Sequence, residues 1–262
     1  IFVLLIAANV LCAASVWPVR EAPVGRRRRD PNAEPAPSFM AVQRVLLAKP
    51  LVRWFLLFTI VMNIPHGASV ILQSLLVKEL DGTNTHIAWS LGIGAVAESV
   101  VFLAFAPLRR RMSLMTMFLL GSMASVVRWL IIFAVPTLGV VLATNVLHLF
   151  TFGLLHMASV VLIDEELPAR YRTSAQSLLG IVTLTAGTAM GPFLSAGFFW
   201  IFGDGSLREW FGLAGVLSLA ALPAWWMMRR FAHPPDDGLE FREPLPAGAR
   251  DPEALREPDS TL

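Results

Sequence analysis

Five side chains that carry or can take up charge, His66, Glu98, Arg128, His148 and His156, fall inside long apolar stretches of this sequence. Imidazole and carboxylate groups bind and release protons. A guanidinium keeps its proton and holds carboxylates or other acceptors. Each of the five lies within a run of about 20 apolar residues, the length that crosses a bilayer. An ionised group at that depth costs at least about 2.5–3.5 kcal/mol on insertion scales. A chain that needed only to sit in lipid would use Leu there. The chemistry implied is proton handling and ligand binding inside the membrane, along a cavity or a permeation path.

The spacing of the polar residues sharpens this reading. Glu98 is about 11 residues into its run, about 16 Å deep at a helical rise. There it is either neutral or paired with a cation. It reads as a proton or substrate site, against a plain structural bridge to another helix. Arg128 lies toward the outer end of its run, eight residues before Pro136. It reads as a fixed positive charge, against a side chain that snorkels to the interface. Asn145, His148 and Thr151 follow one another at spacings of three, and Phe152 and His156 continue the stripe at a spacing of four. A polar stripe on an otherwise apolar helix turns away from lipid and lines a cavity. Asn63 and His66 flank Pro65, which frees a backbone carbonyl and marks a hinge or a pocket.

The elements that must position these groups are helices. The chain has 262 residues, 55% of them hydrophobic and 15% charged, with a mean hydropathy of +0.63. Soluble domains are nearer a quarter charged. A net charge of +2 gives no reason to expect nucleic-acid binding. The single cysteine, Cys12, excludes an intrachain disulfide and reads as a small apolar residue. The apolar runs are too long for barrel strands, and open sheets are excluded in lipid. No phosphate-binding loop, HExxH pair or GxSxG turn occurs. No cofactor, no metal and no enzyme activity are expected, and coupling to an ion gradient replaces ATP as the energy source.

The expected organisation has four parts. Residues 1–17 form a partial transmembrane helix, the end of a preceding bundle, since the chain opens on Ile1 with no basic leader. Residues 18–49, rich in Arg and Pro, form a cytoplasmic linker. Residues 50–231 form a bundle of six transmembrane helices, the sixth-numbered run of the chain being broken at Gly191-Pro192. Residues 232–262 form a disordered cytoplasmic tail. The joints at 19–49, 109–111, 164–172 and 229–230 concentrate Arg, and the intervening joints do not, so the Arg-rich side faces the cytoplasm. Gly187 and Gly191 give the small-xxx-small spacing of a close helix contact, and Gly92 and Gly94 a similar surface. Several of the eight Trp residues lie near run ends, as interfacial anchors do.

From Arg44 to Ile201 the sequence resembles the C-terminal half of a major facilitator superfamily transporter. It is most similar to the branch of phenylpropionic acid permeases and, more distantly, lactose permease. The segments that carry the resemblance are Gly94 to Glu98, Pro107 to Arg111, Val127-Arg128-Trp129, Leu147 to Gly153 and Ala175-Gln176. It implies an all-α integral membrane fold: the six-helix C-terminal bundle plus one partial preceding helix, partnered by an N-terminal six-helix half. It also implies a secondary transporter of the bacterial inner membrane, moving a small organic solute, such as an aromatic acid or sugar, with a proton. In that family an arginine, a histidine and a glutamate form the proton-coupling cluster. The first two correspond to Arg128 and His148, and the glutamate position is Thr151, which carries no proton. Glu98 is then the available acid. Asn63, His66, Asn145, Thr151 and His156 are the expected substrate and cavity residues, and Arg109, Arg110 and Arg111 the cytoplasmic gate. Two rival readings make different predictions. A membrane-embedded metal enzyme requires the imidazoles and Glu98 to converge as ligands. A non-transporting receptor or scaffold of the same fold binds without flux.

Overall fold

The computed structural model describes residues 38–203 and 207–232. The expected partial helix at 1–17, most of the linker and nearly all of the tail lie outside the described residues. The described chain is helical throughout. It begins with α1 (Phe39–Ala48), followed by α2 (Pro50–Glu79), α3 (Asn84–Arg111) and α4 (Leu114–Ala134). The next run is helical from Leu138 to Glu166 but changes pitch on the way. It comprises α5 (Leu138–Ala143), a tight 3-10 turn (Thr144–Leu147), a wide π turn (Leu149–Leu154) and α6 (Leu155–Glu166). The run from Ala169 to Phe202 is likewise α7 (Ala169–Leu184), a π turn (Thr185–Met190) and α8 (Gly191–Phe202). The chain ends in α9 (Leu207–Leu219) and α10 (Leu222–Phe231).

Five helical runs among the described residues are long and apolar enough to cross a bilayer: 50–79, 84–111, 114–134, 138–166 and 207–231. The remaining expected span, 173–202, lies in a run that is helical from 169 to 202 in three pieces. Its break comes just before Gly191-Pro192 rather than at that pair. Pro192 has no N–H to offer the preceding turn, and a π turn absorbs the missing bond. The expected linker also differs, because its last ten residues are the helix α1. Ser38 caps it by accepting from the Ala41 amide at 3.3 Å. Val42 and Leu46, one turn apart, are buried against the bundle. Pro50 at the first turn of α2 then restarts the chain.

The interior has two apolar cores with a polar layer between them. One gathers Phe55, Phe58, Met117, Phe118, Leu162 and Met228 with their neighbours. The other gathers Leu72, Leu76, Trp129, Ile132, Trp210 and Phe211. Along α4, Ser122, Ser125 and Arg128 fall between the two, and along the fifth run Asn145 and Thr151 do. The irregular helix 169–202 is held close to α2 by glycine. A Cβ added at Gly67 in α2 would meet the Gly187 carbonyl oxygen at 1.9 Å, and one at Gly191 the Ile64 carbonyl oxygen at 2.5 Å. These contacts are backbone against backbone, the outcome expected of the Gly187–Gly191 spacing.

At the end of the bundle bearing the Arg-rich joints, three consecutive acids take three cations from three different places. Asp164 pairs with Arg172 at 3.2 Å, Glu165 with Arg109 at 2.9 Å, and Glu166 with Lys49 at 3.0 Å. The Lys49 ammonium also donates to the Glu166 carbonyl oxygen. These pairs tie the end of α6 to α3, α7 and the α1–α2 joint.

Candidate functional site

Arg128 is the centre of the polar layer. It is 2% exposed, so it does not snorkel, although it stands only one turn and a half from the end of α4. Its guanidinium lies 4.5 Å from the centroid of the Trp129 ring. Nη1 donates to His148 Nδ1 at 2.9 Å and to Thr151 Oγ1 at 3.5 Å. Nη2 donates to Gln73 Oε1 at 3.0 Å and to Asn145 Oδ1 at 2.8 Å. All four partners are neutral groups, and Nε is buried with no partner. The cation therefore has no carboxylate in direct contact among the described residues.

Arginine has donors only, and this fixes the polarity of everything around it. His148 must accept at Nδ1, so its proton sits on Nε2. Nε2 lies 2.8 Å from Glu98 Oε1 and donates to it. The result is a directed chain, Arg128 to His148 to Glu98, with the imidazole neutral between a cation and a carboxyl group. Both amides are oriented by the same rule. With their oxygens toward Arg128, Gln73 and Asn145 present their NH₂ groups to Ser90 Oγ, at 2.7 and 2.9 Å. Asn145 gives its other proton to the Val141 carbonyl at 2.8 Å.

The irregular backbone explains why His148 can stand there. It sits at the junction of the 3-10 turn and the π turn, where the helix first tightens and then widens. Such interruptions inside helices recur at functional positions. Gly94 leaves room for the ring, since a Cβ there would come within 3.1 Å of His148 Cδ2. Gly153 does the same for α3, where its Cβ would lie 3.3 Å from Glu98 Cα. A substituted residue at either position would push the imidazole away from the carboxylate.

The group opens on a pocket of about 180 Å³. Glu98, His148, Asn145, Arg128, Gln73 and Ser90 all contribute to its wall, with Gly94 and Val70 supplying apolar surface. Several polar groups thus converge on one cleft.

Of the residues expected from the sequence, Glu98, Arg128, His148, Asn145 and Thr151 meet in this one network. His66 meets it by ring stacking, 5.2 Å from His148 with the planes 9° apart, and its Nδ1 is buried without a partner. Phe152 stacks on both, at 5.6 Å from His148 and 6.1 Å from His66. His156 extends the stack through Phe152, at 5.7 Å. It is itself exposed and makes no hydrogen bond to the network. Asn63 stays local, donating to the Thr59 carbonyl of its own helix at 2.8 Å. Of the three gate arginines, Arg109 pairs with Glu165, while Arg110 and Arg111 are exposed and make no ion pair among the described residues. No group of three or more potential metal ligands occurs among the described residues. Both ring nitrogens of His148 are already engaged.

Two network members, Gln73 and Ser90, were not among those expected. Their signal was periodic. Gln73 lies seven residues after His66, two turns along the same face, and Ser90, Gly94 and Glu98 are spaced by four.

The chain is 31% identical over 147 residues to a probable 3-phenylpropionic acid transporter of Escherichia coli, covering 53% of this chain and 34% of that protein. The match thus spans about a third of the relative's length. No solved structure matches. Residues 1–211 match the model of the MFS_1 like family, and the chain belongs to that family of integral membrane transporters rather than to any class of enzyme.

Proposed function

We propose that this bundle is one half of a proton-coupled symporter that moves a small organic acid by alternating access, with Glu98 as the proton carrier. The observation that carries the reading is the directed chain Arg128–His148–Glu98 on the wall of the pocket. With Glu98 ionised, its charge and that of Arg128 cancel across the neutral imidazole. An incoming carboxylate would then leave the site with a net negative charge in a medium of low dielectric. With Glu98 protonated, the uncompensated charge of Arg128 favours that carboxylate. Proton and anion therefore enter together and leave together, which is symport. Asn145, Thr151 and Gln73 hold Arg128 in place, while His66 and Phe152 keep the imidazole plane fixed. Arg109, with Arg110 and Arg111 beside it, serves the cytoplasmic closure through its pair with Glu165.

The relative's name specifies a phenyl-substituted carboxylic acid, and that class suits a pocket whose wall combines one cation with the apolar side chains of Val70 and Leu91. Further support for a second bundle comes from α3, the least buried of the five long helices. Its outer face exposes Val96, Val100 and Leu103. In this reading an N-terminal six-helix half packs there, and residues 1–17 belong to it. The Arg-rich ends, the linker and the 232–262 tail face the cytoplasm of a bacterial inner membrane.

The test is Glu98→Gln in the full-length protein reconstituted in liposomes, with 3-phenylpropionate as the probe. The variant should exchange the probe across the membrane at near wild-type rates and fail to accumulate it when a pH gradient is applied. Accumulation equal to the wild type would refute the assignment of the proton to Glu98.

A further inference from the structure

We infer that Ser90 is a substrate-binding residue: its hydroxyl is an obligate hydrogen-bond donor aimed into the pocket, set to receive an oxygen of the solute's carboxylate. The inference rests on the transport reading above and adds to it where in the pocket the anion docks.

The argument is one of hydrogen-bond direction. Arg128 can only donate, so the oxygens of Gln73 and Asn145 must both face it. Their NH₂ groups must then both face Ser90 Oγ, which accepts from each, at 2.7 and 2.9 Å. A hydroxyl has two lone pairs and one proton. Both lone pairs are used, and the proton remains to be given away. Serines inside helices normally give it to the carbonyl one turn back. Ser99, Ser122 and Ser159 do so here, at 2.9, 2.8 and 2.7 Å. Ser90 has no such bond and no other acceptor among the described residues. It is 6% exposed, and it lines the pocket. A buried hydroxyl whose proton lacks a partner is costly unless something in the cavity supplies one.

The charge of Arg128 reinforces this. Two amide dipoles point from the guanidinium to one oxygen, so the positive potential of a buried cation is delivered at the Ser90 proton without exposing the cation itself. The arrangement is an anion hole made from a neutral hydroxyl. Along α3, Ser90 is eight residues from Glu98, about 12 Å at a helical rise. The pocket thus has a donor at one end and a proton acceptor at the other. A carboxylate held at Ser90 leaves the rest of the solute to extend toward Glu98.

Two measurements test the inference, both on the full-length protein. In the first, Ser90→Cys is introduced with Cys12→Ala, and a water-soluble methanethiosulfonate is added with and without 3-phenylpropionate. Labelling that 3-phenylpropionate slows is expected. A thiol that never reacts shows that the position does not face the cavity and overturns the proposal. In the second, uptake of 3-phenylpropionate is compared for Ser90→Ala and Ser90→Thr. Loss of one hydrogen bond to a charged group should raise KM about 10-fold or more in Ser90→Ala, with the maximal rate little changed. Ser90→Thr, which keeps the hydroxyl, should stay within about 2-fold of the wild type. A KM in Ser90→Ala equal to the wild type overturns the proposal. If the unmodified protein takes up no 3-phenylpropionate, the transport reading fails for that acid. Ser90 is then decided by the labelling alone: a reactive thiol keeps the cavity-facing donor, and an inert one removes it.

Discussion

Charge at the Arg-rich end of the bundle and charge in the polar layer are built in opposite ways. At the Arg-rich end, Asp164, Glu165 and Glu166 each touch a cation directly, and all six side chains are partly exposed. In the polar layer, Arg128 is buried and touches only neutral acceptors, reaching its carboxylate through His148. Exposed pairs are screened by water and are each worth about 0–1 kcal/mol. They make and break easily, as the proposed gate requires. A buried cation whose partners are removed costs about 3–5 kcal/mol. It stays where it is, and in the proposed mechanism only the proton on Glu98, at the far end of its chain, comes and goes. The lesson is that in the polar layer cation and carboxyl group are separated by one imidazole, whereas at the Arg-rich end they are in contact.

The largest expected effect follows from removing the fixed charge. Arg128→Met leaves Gln73, Asn145 and His148 facing an apolar group, at about 1–3 kcal/mol for each unsatisfied buried partner. Uptake of 3-phenylpropionate in liposomes should fall by at least about 100-fold, and the protein should unfold in detergent at clearly lower denaturant. Arg128→Lys should rescue little, because a compact ammonium cannot span both amides and the imidazole together. Wild-type uptake by Arg128→Lys would mean that charge alone matters here and the fork geometry does not.

A smaller effect is expected at the amides. Gln73→Leu removes one acceptor from Arg128 and one donor from Ser90, and should lower stability by about 1–3 kcal/mol. Combined with Asn145→Leu, the loss should be non-additive by about 0.5–3 kcal/mol, since both act on the same guanidinium and the same hydroxyl. Strict additivity in detergent unfolding would show two independent contacts and dissolve the network.

How much of this was legible in the sequence follows from what each residue type costs in lipid. Glu98, Arg128 and His148 stood out because ionisable groups are expensive in hydrocarbon, and the stripe through Asn145 and Thr151 told which face they share. Gln73 and Ser90 did not stand out. Serine is common in membrane helices, where it often bonds back to its own backbone, and nothing local distinguishes those that do not. Gln73 lies five residues before Lys78, close enough to the run's end to read as interfacial. His156 and Asn63 had the right types but face outward or bond within their own helix, which spacing alone does not separate. The long spans were legible from their apolar runs. The changes of pitch around His148 were not, since no proline or glycine precedes them between Leu138 and Thr151 except Gly139. They come from packing α3 against the fifth run, with Gly94 and Gly153 as the residues that permit it. The helix α1 was hidden by the Arg- and Pro-rich composition ahead of it. Only the Ser38 cap and the Val42–Leu46 pair betray it.

The gate supplies the smallest effect and the sharpest contrast. Glu165→Gln breaks the pair with Arg109 while keeping the side chain's shape. Because both partners are exposed, stability should change by less than about 1 kcal/mol. The consequence should lie in the balance between inward- and outward-open forms, since the pair joins the end of α3, which carries Glu98, to the end of the fifth run, which carries His148. Thiol labelling at a cytoplasm-facing position should therefore rise in Glu165→Gln, and the charge-swapped pair Arg109→Glu with Glu165→Arg should bring it back. High salt should mimic the single substitution, because exposed pairs are screened and the buried chain from Arg128 to Glu98 is not. A variant that labels like the wild type at both low and high salt would show that the three acids only decorate the surface, leaving the polar layer as the sole place in the bundle where charge governs movement.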